Sequence, residues 1–83
     1  MITDYRIKAL GAPQDAGPFR LPADREASLR ALLKASRARG SWPERMRAAI
    51  EYARGKTEHQ NGLGAASECL FHWRKGRQVE WPD

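Results

Sequence analysis

Three side chains of this 83-residue chain could ligate a soft metal or pair a nucleophile with a base: Cys69, His59 and His72. A closed zinc site takes four ligands, commonly in close-spaced pairs, and three scattered ones fall short. Cys69 and His72 stand three positions apart. On a strand that spacing puts them on opposite faces, where the imidazole cannot activate the thiol. Cys69 is then expected as a small core residue. Gly55-Lys56-Thr57 has the ending of a phosphate-binding loop, but Ile50 stands where the first glycine belongs. Gly62 and Gly64 are too few for a dinucleotide fingerprint, and no strand precedes them. The carboxylates are scattered, most beside arginine, with no pair placed for general acid–base work. The expectation is a protein without catalytic, metal or cofactor residues.

What remains is charge. Lys and Arg number 15 against 10 Asp and Glu, a formal charge of +5. Ten of those cations and four of the acids lie between Arg20 and Lys56, so the excess sits in the middle of the chain. Such a segment suits a polyanion or an acidic protein surface. A GC-rich coding bias, which favours Arg and Ala, produces the same composition without any binding role.

Two candidate surfaces stand out. Arg30, Lys34 and Arg37 repeat at helical spacing, with Arg45, Arg47 and Arg54 following on the next element. Among the acids, Glu26 alone is placed at i, i+4 to pair with Arg30, Lys34 or Arg37, through Arg30. The second surface is Trp73, Arg74, Lys75 and Arg77 around Gly76, an aromatic ring beside three cations. That combination can stack on a base or meet an acidic protein. It is also the way a hairpin tip stays soluble.

The elements that must position these residues follow from pattern. Thr3 to Leu10 alternates Tyr5, Ile7 and Ala9 with charged residues, which predicts a strand. Gly11 to Pro22 is rich in Gly and Pro and predicts a loop, with Phe19 or Leu21 on the core. Asp24 is the expected N-cap of a first helix with Leu29, Leu32, Leu33 and Ser36 on one stripe, stopping at Gly40. Ser41 and Glu44 form a capping box for a second helix, with Pro43 in its first turn. Trp42, Met46, Ala49, Ile50 and Ala53 share its buried face, and Gly55 ends it. Lys56 to Ala65 reads as an exposed loop. Ser67 to Trp81 reads as a β-hairpin around a three-residue turn with Gly76 left-handed, pairing Phe71 with Val79 and Cys69 with Trp81.

The resulting expectation is one small α+β domain over residues 1–83, ordered β-α-α-β-β. It has a strand and loop over 1–22, a helical pair over 23–55 and a hairpin over 66–83. A three-stranded, mainly antiparallel sheet would pack on the two helices. The helical pair also has the outline of a helix-turn-helix. Flanking strands, and Trp42-Pro43 where groove-facing residues belong, speak against it. A single cysteine excludes an internal disulfide framework, and no apolar run reaches 18 residues. The start from Met1 to Ala12 is charged, unlike a secretory leader, and the expected compartment is the cytoplasm.

Two functions fit. The first is a non-enzymatic, basic nucleic-acid-binding accessory or regulator. The second is a protein-binding inhibitor or adaptor that occludes a larger partner. Phages and mobile elements deploy small motif-free proteins of this second kind, anti-CRISPR proteins among them. A homodimer through an exposed sheet edge is a further expectation for a sheet this small.

Overall fold

The structure is a computed structural model that describes residues 17–82. It holds helices α1 (Ala23–Ser36), α2 (Trp42–Ala53) and α3 (Gln60–Arg74), with a short 3₁₀ turn at Thr57–His59 leading into the last. No strand or sheet occurs among the described residues. This overturns the β-α-α-β-β reading: the sheet on two helices is replaced by three helices packed on each other. The expected strand from Thr3 to Leu10 lies outside the described residues.

α1 begins with Asp24 and Glu26 in its first turn and Lys34 in its last, charges that match the helix dipole. Asp24 is not the cap. Pro22 holds that position with φ −59° and ψ 154°, and no side chain caps the helix. The helix also stops earlier than Gly40. Ser36 donates to the Leu33 carbonyl at 3.1 Å and accepts from the Ala38 N–H at 3.4 Å, bonds that compete with further helix. Arg37 then turns left-handed at φ 55°, its N–H donating to the Leu33 carbonyl at 3.0 Å. The connection to α2 therefore runs over residues 37–41.

α2 starts as expected. The Ser41 N–H donates to Glu44 Oε1 at 3.0 Å, and Ser41 Oγ accepts from the Glu44 N–H at 3.4 Å. The Ser41 backbone N–H foremost, then the Ser41 side chain, hold the Glu44 carboxyl below its ordinary range. Met46, Ala49 and Ala53 face inward, and Trp42 and Ile50 pack against the core from its margin.

The largest correction is α3. Asn61-Gly62-Leu63-Gly64 is helix, not exposed loop, and Ser67 to Arg74 is helix, not a hairpin arm. Cys69, Phe71 and Trp73 alternate as on a strand. A second period runs through the same segment: Gly62, Ala65, Ala66, Cys69 and Leu70 are buried on one helical face. Because most of these residues are small, α3 can lie close against α1 and α2. The large rings that a hairpin would have buried are turned out, with Phe71 55% and Trp73 40% exposed.

Gly76 does adopt positive φ, at 86°, but as the end of α3. Its N–H donates to the Trp73 carbonyl at 3.0 Å and the Arg77 N–H donates to the His72 carbonyl at 3.1 Å, the paired bonds of a Schellman motif. The chain then runs back beside the segment before α1. Val79 forms a parallel bridge with Phe19 instead of pairing with Phe71. The Phe19 N–H donates to the Gln78 carbonyl at 2.8 Å and the Glu80 N–H donates to the Phe19 carbonyl at 2.9 Å. Phe19, Leu21 and Val79 close the core at this end. Both halves of the expectation for Phe19 and Leu21 hold, since both are buried. Arg25 and Glu68 add an ion pair between α1 and α3. The sheet edge expected to support a homodimer is not found among the described residues.

Candidate functional site

α2 carries cations on both flanks. Arg45 and Arg47 are two positions apart, about 200° around a helix, so they point to opposite sides. Arg47 and Arg54 are two turns apart and share a side. One groove opens between α1 and α2, the other between α2 and α3.

The α1–α2 groove encloses about 370 Å³ and is lined by Arg30, Leu33, Lys34, Trp42, Arg45 and Pro82. The Arg45 guanidinium lies 3.9 Å over the Trp42 ring. Trp42 in turn stacks on Trp81 at 5.9 Å with the planes 1° apart. Arg30 donates to Glu26 at 2.7 Å. Lys34 and Arg45 form no ion pair with a described residue.

The α2–α3 groove encloses about 330 Å³. Arg47 and Arg54 from α2 and Arg74 from α3 surround a floor of Ile50 and Leu70. Glu51 also lines it and pairs with Arg54 at 3.4 Å. Arg47 and Arg74 form no ion pair with a described residue. Phe71 and Trp73 stand exposed on the same end of α3 as Arg74.

The two basic surfaces expected from the sequence are thus regrouped. Arg30, Lys34 and Arg45 meet in one groove, and Arg47, Arg54 and Arg74 in the other. Arg37 lies in neither and is an exposed left-handed residue after α1. Lys75 sits 5.4 Å over the Phe71 ring, at a helix end rather than a hairpin tip. Arg77 is engaged within the fold. Its Nε donates to the Gly17 carbonyl at 2.8 Å, its guanidinium lies 5.5 Å from the Phe19 ring, and Nη1 is 3.5 Å from His72 Nδ1. Trp42 is packed on Trp81, not presented outward, which removes the groove-facing role a helix-turn-helix would give it.

The helix also changes the relation between Cys69 and His72. Three apart on α3, they share a side rather than opposing one another. The thiol is nonetheless buried, and that burial pushes its pKa up to about 11. His72 stacks on Phe19 at 4.0 Å, and desolvation followed by the nearby Arg77 lowers its pKa. At neutral pH the pair is a thiol and a neutral imidazole, both spent on packing. Among the described residues no group of three metal-binding side chains occurs. None of their helices is long and apolar enough to cross a membrane.

Sequence reasoning missed two features of these surfaces. One is the exposure of Phe71 beside Arg74, for which the small-residue period of α3 was the available signal. The other is the Trp42–Trp81 stack, which joins residues 39 positions apart and left no local pattern. Against protein-family models, curated proteins and solved structures, the chain matches none.

Proposed function

We propose that this is a small, non-enzymatic nucleic-acid-binding protein, an accessory or regulator acting in the cytoplasm, and that the α2–α3 groove is its binding face. The observation that carries the reading is the convergence of Arg47, Arg54 and Arg74 from two helices on one groove, with Glu51 as its one acidic lining residue among those described. Arginine forks match phosphate geometry, and each phosphate neutralised releases counterions, which adds affinity and salt dependence. The exposed stripe of α3, Gln60, Ser67, Phe71 and Arg74, runs alongside. Phe71, on that stripe, offers a ring on which an unpaired base can stack, so single strands are the favoured substrate.

The test is polarisation titration of a labelled single-stranded oligonucleotide and its duplex at several salt concentrations. Single strands bind more tightly. Neutralising Arg47 or Arg74 lowers the salt slope by about 0.7 for each phosphate that the variant leaves unneutralised. Replacing Phe71 by Ala weakens binding by about 1–3 kcal/mol if one base stacks there. Absence of binding at low salt, or binding indifferent to all three arginines, refutes the reading.

The exposed rings of Phe71 and Trp73 also support the alternative, a protein-binding inhibitor or adaptor of the kind phages and mobile elements encode. A pull-down with and without nuclease separates the two. Partners that disappear with nuclease belong to the first reading, and direct protein partners that survive it belong to the second.

A further inference from the structure

The α1–α2 groove lies on the opposite flank of α2 and is built differently. We propose that it is a docking site for a protein partner's acidic peptide segment, one that interleaves Asp or Glu with large apolar side chains. The proposal does not depend on nucleic-acid binding by the other face.

Charge complementarity points to the occupant. Arg30, Lys34 and Arg45 line the groove, and no acidic residue does among those described. Glu26 partners Arg30 from outside the lining. No described residue forms an ion pair with Lys34 or Arg45, which leaves both for an incoming anion.

The arginine is also held ready. Arg45 rests on Trp42, which is braced by Trp81, so the long side chain is ordered before anything binds. An ordered fork loses less freedom on binding a carboxylate than a free one does. Its Nε is shut away from solvent and has no hydrogen-bond partner among the described residues, a charged donor left unsatisfied within the fold.

The walls decide between a peptide and a phosphate chain. Leu33, Trp42 and Pro82 make an apolar lining between the cations. Trp42 is already engaged by the Arg45 guanidinium and the offset-stacked Trp81 ring, so less of its face is left for a base. A phosphodiester chain supplies charge but leaves the apolar walls uncovered. Carboxylates with Leu or Phe between them satisfy both.

The probe is a fluorescein-labelled ten-residue peptide of glutamate, leucine and phenylalanine, measured by polarisation against the full chain at low salt. Two comparison probes are the same peptide with glutamine for glutamate, and oligothymidylate of similar length. The acidic peptide binds, shifts tryptophan emission through Trp42 and Trp81, and loses affinity at least about tenfold with glutamine. Lys34→Glu lies on an exposed position that does not endanger folding and weakens the peptide by about tenfold or more. Arg54→Glu, in the other groove, leaves peptide affinity unchanged. No binding of the acidic peptide, equal binding of the glutamine peptide, or indifference to Lys34→Glu overturns the proposal. So does oligothymidylate that competes for this groove and is itself weakened by Lys34→Glu, which would make it a polyanion site. Failure of oligothymidylate to bind at all, with peptide binding intact, refutes the nucleic-acid reading alone.

Discussion

Gly62 of α3 lies so near Ser28 of α1 that a Cβ built on the glycine would stand 2.8 Å from the Ser28 carbonyl oxygen and 2.9 Å from the Leu32 Cβ. Both are parts of the structure that do not move easily. Gly62 therefore sets how closely the two helices pack, which explains a glycine inside a helix.

Replacing Gly62 by Ala sets two effects against each other. Helix propensity improves by about 1 kcal/mol. The inserted methyl must push α3 from α1, an overpacking cost of about 1–3 kcal/mol. The net expectation is a less stable protein with a lower urea midpoint. Gly64→Ala is the matched comparison. Its nearest neighbour is Arg25 Nη2 at 3.7 Å, ordinary contact, so it gains about 0.5–1 kcal/mol. Chemical denaturation of both variants checks the contrast, and a stabilised Gly62→Ala would show that the helices are not held at this spacing.

Arg37 is the one described non-glycine residue with positive φ, at 55°. Left-handed backbone costs an L-residue about 1–2 kcal/mol. Arg37→Gly relieves that strain, and Arg37→Ala removes the same charge without relieving it. The glycine variant should be the more stable of the two by about 1 kcal/mol, read from their denaturation midpoints.

Cys69 is wholly buried and its thiol is pushed up to about 11. Native protein at pH 8 should react with a thiol reagent far more slowly than the same protein in denaturant. The labelling rate then reports opening of the three-helix core. Rapid labelling of native protein would contradict this packing of α3.

His72 titrates below its ordinary value because desolvation, then Arg77, disfavour the imidazolium. The unfolded chain therefore binds this proton at higher pH than the folded one. Stability is fully present above the ordinary histidine pKa of about 6.5 and falls as pH drops through it toward the folded value. A histidine NMR titration should show His72 protonating at lower pH than a free imidazole. A midpoint at or above 6.5 would contradict its stack on Phe19.

Breaking the capping box provides a stability check at α2. Ser41→Ala removes the acceptor for the Glu44 N–H and costs about 1 kcal/mol. The Glu44 carboxyl is held low by the same box, so its contribution persists above the unfolded carboxylate range and is lost as pH falls through the folded value. Ser41→Ala keeps the backbone N–H that is the main cause of this shift, so wild type and variant should both lose the Glu44 contribution in acid while most of the gap between their denaturation midpoints remains.

The sequence by itself determined the parts whose causes are local. Ser41 and Glu44 bond within one turn, and Leu29 and Leu32 repeat at helical spacing, so α2 and the buried face of α1 were legible. So were Gly76's left-handed backbone and the concentration of charge in the middle of the chain. Tertiary structure decided the rest. From Gly62 to Trp81 the alternation of Cys69, Phe71 and Trp73 competes with a helical period of small residues, and two glycines weigh against helix by about 1 kcal/mol each. Packing against α1 and α2 tips the balance, because only a close neighbour makes Gly62, Ala65, Ala66 and Cys69 a buried face. The arginines were legible as charge, but their division was not. Whether Arg45 meets Lys34 and Arg47 meets Arg74 depends on how three helices lie against one another, a relation that no local spacing contains.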